Sequence, residues 1–333
     1  MRICLLLTIA FMLNACGTSS SFKGDSTTKY SIHTQPEFNS AQSSKGSWTH
    51  TGMFPTPGEL EPAVDFWRKT YVKWRRSEVA FHDDRYLDVI YEVMALPGYV
   101  DESLTGEQKE LVNQRRIFWK AKLSALENKL RYNQSLNADD RQVIAKIKSS
   151  GKQLNSFLNG ASERVRSQRG TRERFKNGLE ISRKYDRQFR KIFRDAGLPE
   201  DLAYLPHVES SFQPAAKSSA GAVGMWQFTK AAAQTFMPDG DKIDKRMDPF
   251  ASAIGAARYL SYAYRKLGDW PTAITSYNHG IGGMKKAKGQ VGSDFARIVE
   301  TYTSPTFGFA SRNYYAQFLA AREIASNPMK YFQ

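Results

Sequence analysis

A search for chemistry in this chain starts where an ionisable group stands among apolar ones. Residues 198–214 read "LPEDLAYLPHVESSFQP". At helical period Leu202, Leu205, Glu209 and Phe212 fall at i, i+3, i+7 and i+10, which makes one stripe. Taking a carboxylate out of water is unfavourable, so such a group is paired, shifted in pKa or put to chemical use. A buried salt bridge or a partly exposed helix edge would satisfy the local pattern as well as an acid–base role. The stretch by itself leaves that choice open.

Two further stretches carry usable groups. In "KSSAGAVGMWQF", residues 217–228, Gly221 and Gly224 permit a turn that brings backbone close to a ligand. Met225, Trp226 and Gln227 then supply apolar surface and one amide. Residues 276–280, "SYNHG", set Tyr277 beside Asn278, again an aromatic next to a polar head. His33, His50, His82, His207 and His279 show no ligand-like spacing, so no metal and no cofactor is expected.

Helices must position these residues. From 187 to 333 the texture is of short helices with glycine-rich joints. "DPFASAIGAARYLSYAYRKLGDWP" opens on Asp248 as N-cap with Pro249 at N1 and stops at Gly268. "PTAITSYNHG" is closed by Gly280, and "SRNYYAQFLAAREIA" ends the domain. Pro206 removes a backbone bond to Leu202 and is expected to bend its helix. Residues 59–186 read as a helical accessory domain, with Phe66, Trp67, Tyr71 and Trp74, then Phe81, Tyr86, Val89 and Ile90, at helix-like intervals. Thr105 is the expected N-cap of a following helix, and no alternating strand pattern convinces. The basic run at 164–174 reads as a solvated helix face or loop.

The N-terminus concerns location. "MRICLLLTIAFMLNACGTSS" has one basic residue, Arg2, and an apolar run too short to span a bilayer comfortably, as in a signal peptide. Leu13, Ala15 and Cys16 resemble a bacterial lipobox with Cys16 as the lipidated residue, and Gly17 would by family rule permit transfer to the outer membrane. An ordinary secretory signal with an incidental cysteine is the alternative. Residues 1–15 are thus a signal peptide, and 16–58, rich in Ser, Thr, Gly and Gln, a disordered tether. The only cysteines are Cys4 and Cys16, so the mature chain has no disulfide. The full sequence's charge of +15 calls for an anionic partner, and export favours envelope material over nucleic acid.

Taken together and in order, "VESSF", "AKSSAGAVGMWQF", "DPFASAIGAARYL" and "GDWPTAITSYNHG" resemble the catalytic domain of the soluble-lytic-transglycosylase superfamily, with its ES, G-x-M/W-Q-F and Y-N-x-G motifs. The preceding "RERFKNGLEISRKYDRQFRKIFRDAGLPEDLAYLPHVESSF" is most similar to the membrane-bound lytic murein transglycosylase D subgroup. The resemblance covers 172–333 and leaves most of the accessory domain unexplained. It implies an all-α, lysozyme-like catalytic domain that cleaves the MurNAc-β-1,4-GlcNAc bond of peptidoglycan glycan strands and leaves 1,6-anhydroMurNAc ends. Glu209 matches the family's single catalytic acid. Ser218, Met225, Gln227, Tyr277 and Asn278 match residues that bind substrate, with Tyr277 expected to position Glu209 or the muramyl group.

Two positions depart from the family pattern. His279 stands where the family often has alanine, with its side chain expected to point away from the groove. Ala310 stands at an acidic position in "ASRNY", which questions any second carboxylate. A goose-type lysozyme-like hydrolase of the same bond, and a non-catalytic wall-binding scaffold, are the rival readings.

Overall fold

The computed structural model describes residues 52–238 and 243–332. The expected signal peptide, Cys16 and the tether up to residue 51 lie outside the described residues. The chain is mainly α-helical and divides into two compact units, one of Glu61–Lys176 with 331–332, the other of 52–60 with Asn177–Lys330.

The first unit contains α1 (Glu61–Val72), β1 (Glu78–Asp83), β2 (Ile90–Ala95), α2 (Gly106–Arg131), α3 (Ala138–Ser149), α4 (Leu154–Leu158) and β3 (Val165–Arg169); α5 (Arg172–Ser182) starts in it. Thr105 caps α2 as expected: its side chain accepts from Gln108 N while the Gln108 side chain returns to the Thr105 backbone. The three strands form an antiparallel sheet in the order β2-β1-β3, with Val79 opposite Met94 on one side and Arg169 on the other. This sheet corrects the expectation of a wholly helical region. In the central strand, Val79, Ala80, Phe81, His82 and Asp83 are all buried. A strand covered on both faces loses the alternation by which strands are recognised.

The basic run is also not a solvated face throughout. Arg164 Nε lies 2.9 Å from buried Asp83, and buried Arg169 donates to the carbonyls of Arg76, Asp101 and Glu102. These arginines bind loop carbonyls and a carboxylate together inside the unit.

The second unit contains the end of α5, then α6 (Asp186–Asp195), α7 (Leu205–Glu209), α8 (Lys230–Phe236), α9 (Pro249–Leu267), α10 (Trp270–His279), α11 (Ile281–Val291), α12 (Phe295–Thr301) and α13 (Phe309–Ser326). Asp248 caps α9 by accepting from Phe250 N and Ala251 N, both at 2.9 Å. Gly268 ends that helix and Gly280 ends α10. The carboxylate of Asp269 caps the start of α10 and also meets Lys288 Nζ at 2.7 Å.

Within residues 52–60 Phe54 and Leu60 are buried, although 52–58 were expected to belong to the tether. Phe54 is buried, its ring 5.2 Å from that of Phe318 and 6.0 Å from that of Trp270. Tyr315 donates to the Pro55 carbonyl at 2.9 Å, and the Arg322 guanidinium stands 5.3 Å from the centre of the Phe54 ring. Burying one phenylalanine contributes roughly 2–3 kcal/mol towards holding this strap. Among the described residues no helix is long and apolar enough to cross a membrane.

Candidate active site

The opening stripe is buried, but not as one helix. Leu202 lies in a single 3-10 turn over 200–204, and Pro206 sits in the first turn of α7 rather than bending a longer helix. α7 ends at Glu209. Ser211 and Phe212 then take φ of 53° and 58°, two consecutive non-glycine residues in the left-handed region, each costing of order 1 kcal/mol or more. The reversal buries Phe212 against His207, ring centres 4.5 Å apart, and Phe212 N reaches back to Pro206 O at 3.0 Å. Glu209 is thereby fixed at the end of a short helix whose next residues turn sharply away.

Glu209 is 5% exposed. Its one hydrogen bond among the described residues comes from the Tyr314 hydroxyl, which donates to Oε1. Burial pushes the Glu209 carboxyl from an ordinary 4.5 up to about 8, against the Tyr314 bond, which favours the carboxylate. At neutral pH the group is therefore mostly protonated. With Oε1 receiving the phenol, Oε2 carries the acidic hydrogen and no described side chain occupies it.

Two phenols act on this carboxyl, and a third packs behind one of them. Tyr314, from α13, touches it directly. Tyr277, from α10, is held well above the usual phenol range first by burial and then by the charge of Glu209. Tyr259, from α9, packs edge-on against Tyr277 at 5.2 Å and donates to Ser276 O at 2.6 Å. All three stay neutral hydroxyls at physiological pH.

The loop at 216–228 is fastened on both sides. Ser210 Oγ donates to Met225 O at 2.9 Å, and Tyr277 donates to Trp226 O at 2.9 Å. The Tyr277 hydroxyl is thus committed to backbone, and the phenol that holds Glu209 is Tyr314. Gln227, at φ 50°, gives its amide hydrogens to Gly224 O at 2.8 Å and Ala216 O at 3.3 Å. Gly224, at φ 81°, has no room for a side chain: a Cβ there would stand 2.2 Å from Arg246 O. Ser218 is half-buried, its Oγ accepting from Ala222 N at 3.0 Å, and Met225 is buried. Asn278 is half-buried and its Oδ1 accepts from Ser311 Oγ at 2.7 Å, which leaves its amide hydrogens for another acceptor.

His279 lies against Phe307 and Tyr302, with ring centres 4.9 and 6.3 Å away. Ala310 sits in the first turn of α13, one turn before Tyr314. Tyr314 stood in plain sight in "ASRNY", but nothing in its spacing linked it to a glutamate 105 positions earlier.

Residues 189–298 match the family described as Transglycosylase SLT domain. Over 137 residues the chain is 30% identical to membrane-bound lytic murein transglycosylase D of Escherichia coli (strain K12), covering 40% of this chain and 30% of that protein. It is 34% identical over 152 residues to peptidoglycan transglycosylase gp16 of Escherichia phage T7, 44% of this chain and 10% of that one. With membrane-bound lytic murein transglycosylase F 2 of Alkalilimnicola ehrlichii it shares 31% over 122 residues, 34% and 26% of the two chains. The chain therefore spans about a third or less of the length of these relatives.

Proposed function

We propose that this chain, a member of the lytic transglycosylase SLT family through residues 189–298, cleaves the MurNAc-β-1,4-GlcNAc bond of peptidoglycan, with Glu209 as its single acid and base. The observation that carries the reading is Glu209 itself: enclosed, bonded to one phenol and protonated at neutral pH. Among the described residues burial and Tyr314 govern its titration, and no second carboxylate contributes.

Glu209 delivers its proton from Oε2 to the glycosidic oxygen, and the bond from that oxygen to C1 of the muramyl residue breaks. Tyr314 eases this step, because its hydrogen bond strengthens as the carboxyl becomes a carboxylate. The substrate's N-acetyl group stabilises the cationic C1. The carboxylate left in an apolar setting is a strong base, and it takes the proton from the muramyl C6 hydroxyl as that oxygen bonds to C1. The 1,6-anhydro ring closes, Glu209 regains its proton and no water is consumed. Ser218, Met225, Gln227, Tyr277 and Asn278 form the substrate side, Gln227 and Tyr277 by holding the loop and Asn278 through its remaining amide hydrogens.

Digestion of purified peptidoglycan, read by mass spectrometry, tests the reading. It expects 1,6-anhydromuramyl ends, abolished in Glu209→Gln, with binding to the wall retained. Free reducing ends would make the protein a hydrolase of goose-lysozyme type. Unchanged release by Glu209→Gln would remove Glu209 from the reaction. Cys16 is the proposed acylation site and the outer membrane the proposed location. Two of the relatives above are named membrane-bound, in keeping with this. A Cys16→Ala chain that stayed in the membrane fraction through acyl label would overturn that assignment.

A further inference from the structure

The second unit carries an exposed apolar patch that the reaction does not use. Ile243, Met247 and Phe250 are 58%, 42% and 41% exposed, at spacings of four and three residues. Of the polar side chains between them, Asp244 grips Arg246 through two contacts of 2.9 Å, Arg246 also donates to Gly221 O at 2.9 Å and Phe228 O at 3.2 Å, and Asp248 caps α9. Phe250 ties this segment to another, because its ring lies 5.9 Å from Tyr185 and 6.0 Å from Phe189. Tyr185 stands between α5 and α6, where Arg183, Lys184 and Arg187 are all exposed. Among the described residues none of these three is in an ion pair; of the acids beside them Asp186 is committed to Arg190, and exposed Glu180 is in no ion pair. Three exposed cations, offset by the one acid Glu180, therefore stand in the segment that Phe250 touches, for a local charge of about +2.

We propose that Ile243, Met247 and Phe250, with Arg183, Lys184 and Arg187, dock the domain on a bilayer surface of anionic phospholipid. The chemistry selects this occupant. A glycan strand is read by aromatic faces and by hydrogen-bonding groups, and two of the three apolar members here are aliphatic. Aliphatic and phenyl groups ringed by Arg and Lys instead match an interface in which apolar side chains enter the acyl boundary and cations meet phosphates. The chain permits the contact: 36 residues separate Cys16 from Gly52 (52 − 16), about 120 Å at full extension. The patch would act with or without an acyl group on Cys16, and it does not depend on the catalytic reading.

Hydrogen–deuterium exchange of the full chain tests it. Vesicles of phosphatidylcholine containing phosphatidylglycerol should slow exchange several-fold at 183–187 and 243–250, and vesicles of phosphatidylcholine alone should not. The protection should fall with added salt. Arg183→Glu with Arg187→Glu alters only exposed positions and should lose it, with exchange elsewhere unchanged. Ile243→Ser with Met247→Ser should lose it as well. A vesicle-bound chain whose two segments exchange as fast as in buffer would overturn the proposal. Protection of the same segments by purified peptidoglycan and not by anionic vesicles would also overturn it and make the patch a wall-polymer surface.

Discussion

The Tyr314 hydroxyl donates to Oε1 of Glu209, so the phenol of α13 directs the acid at the end of α7. This bond opposes burial: it favours the carboxylate, while enclosure favours the neutral acid and prevails. Tyr314→Phe removes the opposing influence and nothing else of size. The Glu209 pKa should then rise above about 8, by roughly one to two units for a hydrogen bond to a charged group. The alkaline limb of the rate profile should move up with it, and the plateau rate should fall. A lower rate with an unmoved limb would show that Tyr314 only fills space.

Stability should carry the same signature. The folded protein holds the Glu209 proton far more tightly than an ordinary carboxyl of 4.5 does. The stabilisation is complete below pH 4.5 and is lost as pH rises towards about 8. Glu209→Gln keeps the shape without the titration. Thermal or denaturant unfolding should show the variant gaining on the parent between those pH values, by on the order of a few kcal/mol. A difference that stays flat across the range would mean that Glu209 ionises in the fold at no cost.

Gly224→Ala should disable the loop that carries Gln227. The new Cβ would meet the Arg246 carbonyl at 2.2 Å in a backbone region that side chains avoid. The expected destabilisation is roughly 1–3 kcal/mol. Muropeptide release should fall further than stability alone explains, because Gly224 O is an anchor of the Gln227 amide. Full activity at normal stability would separate this loop from the chemistry.

Phe54→Ala tests whether the strap belongs to the second unit. The ring is buried between Trp270 and Phe318, and its loss should cost about 3–5 kcal/mol. Chemical denaturation followed by circular dichroism would measure it. A change below about 0.5 kcal/mol, as at an exposed site, would show the strap to be dispensable.

Much of this protein was determined by sequence alone, wherever the cause is local. Thr105 with Gln108, Asp248 before Pro249, Gly268 and Gly280 mark helix ends within a few residues of themselves, and the caps form as those residue types dictate. The stripe of Leu202, Leu205, Glu209 and Phe212 announced its burial, and the order of motifs announced the match of residues 189–298 to the SLT domain. Tertiary structure decided the rest. β1 was hidden because it lies between β2 and β3 and is covered on both faces, which erases its period. Phe212 reached its buried place through a left-handed turn that no periodicity encodes. Tyr314 became the partner of Glu209, and Phe54 part of the second unit's core, through contacts 105 positions or more apart in the chain. Caps and stripes depend on neighbours within a turn or two, whereas a carboxyl's pKa depends on whatever the whole fold brings against it.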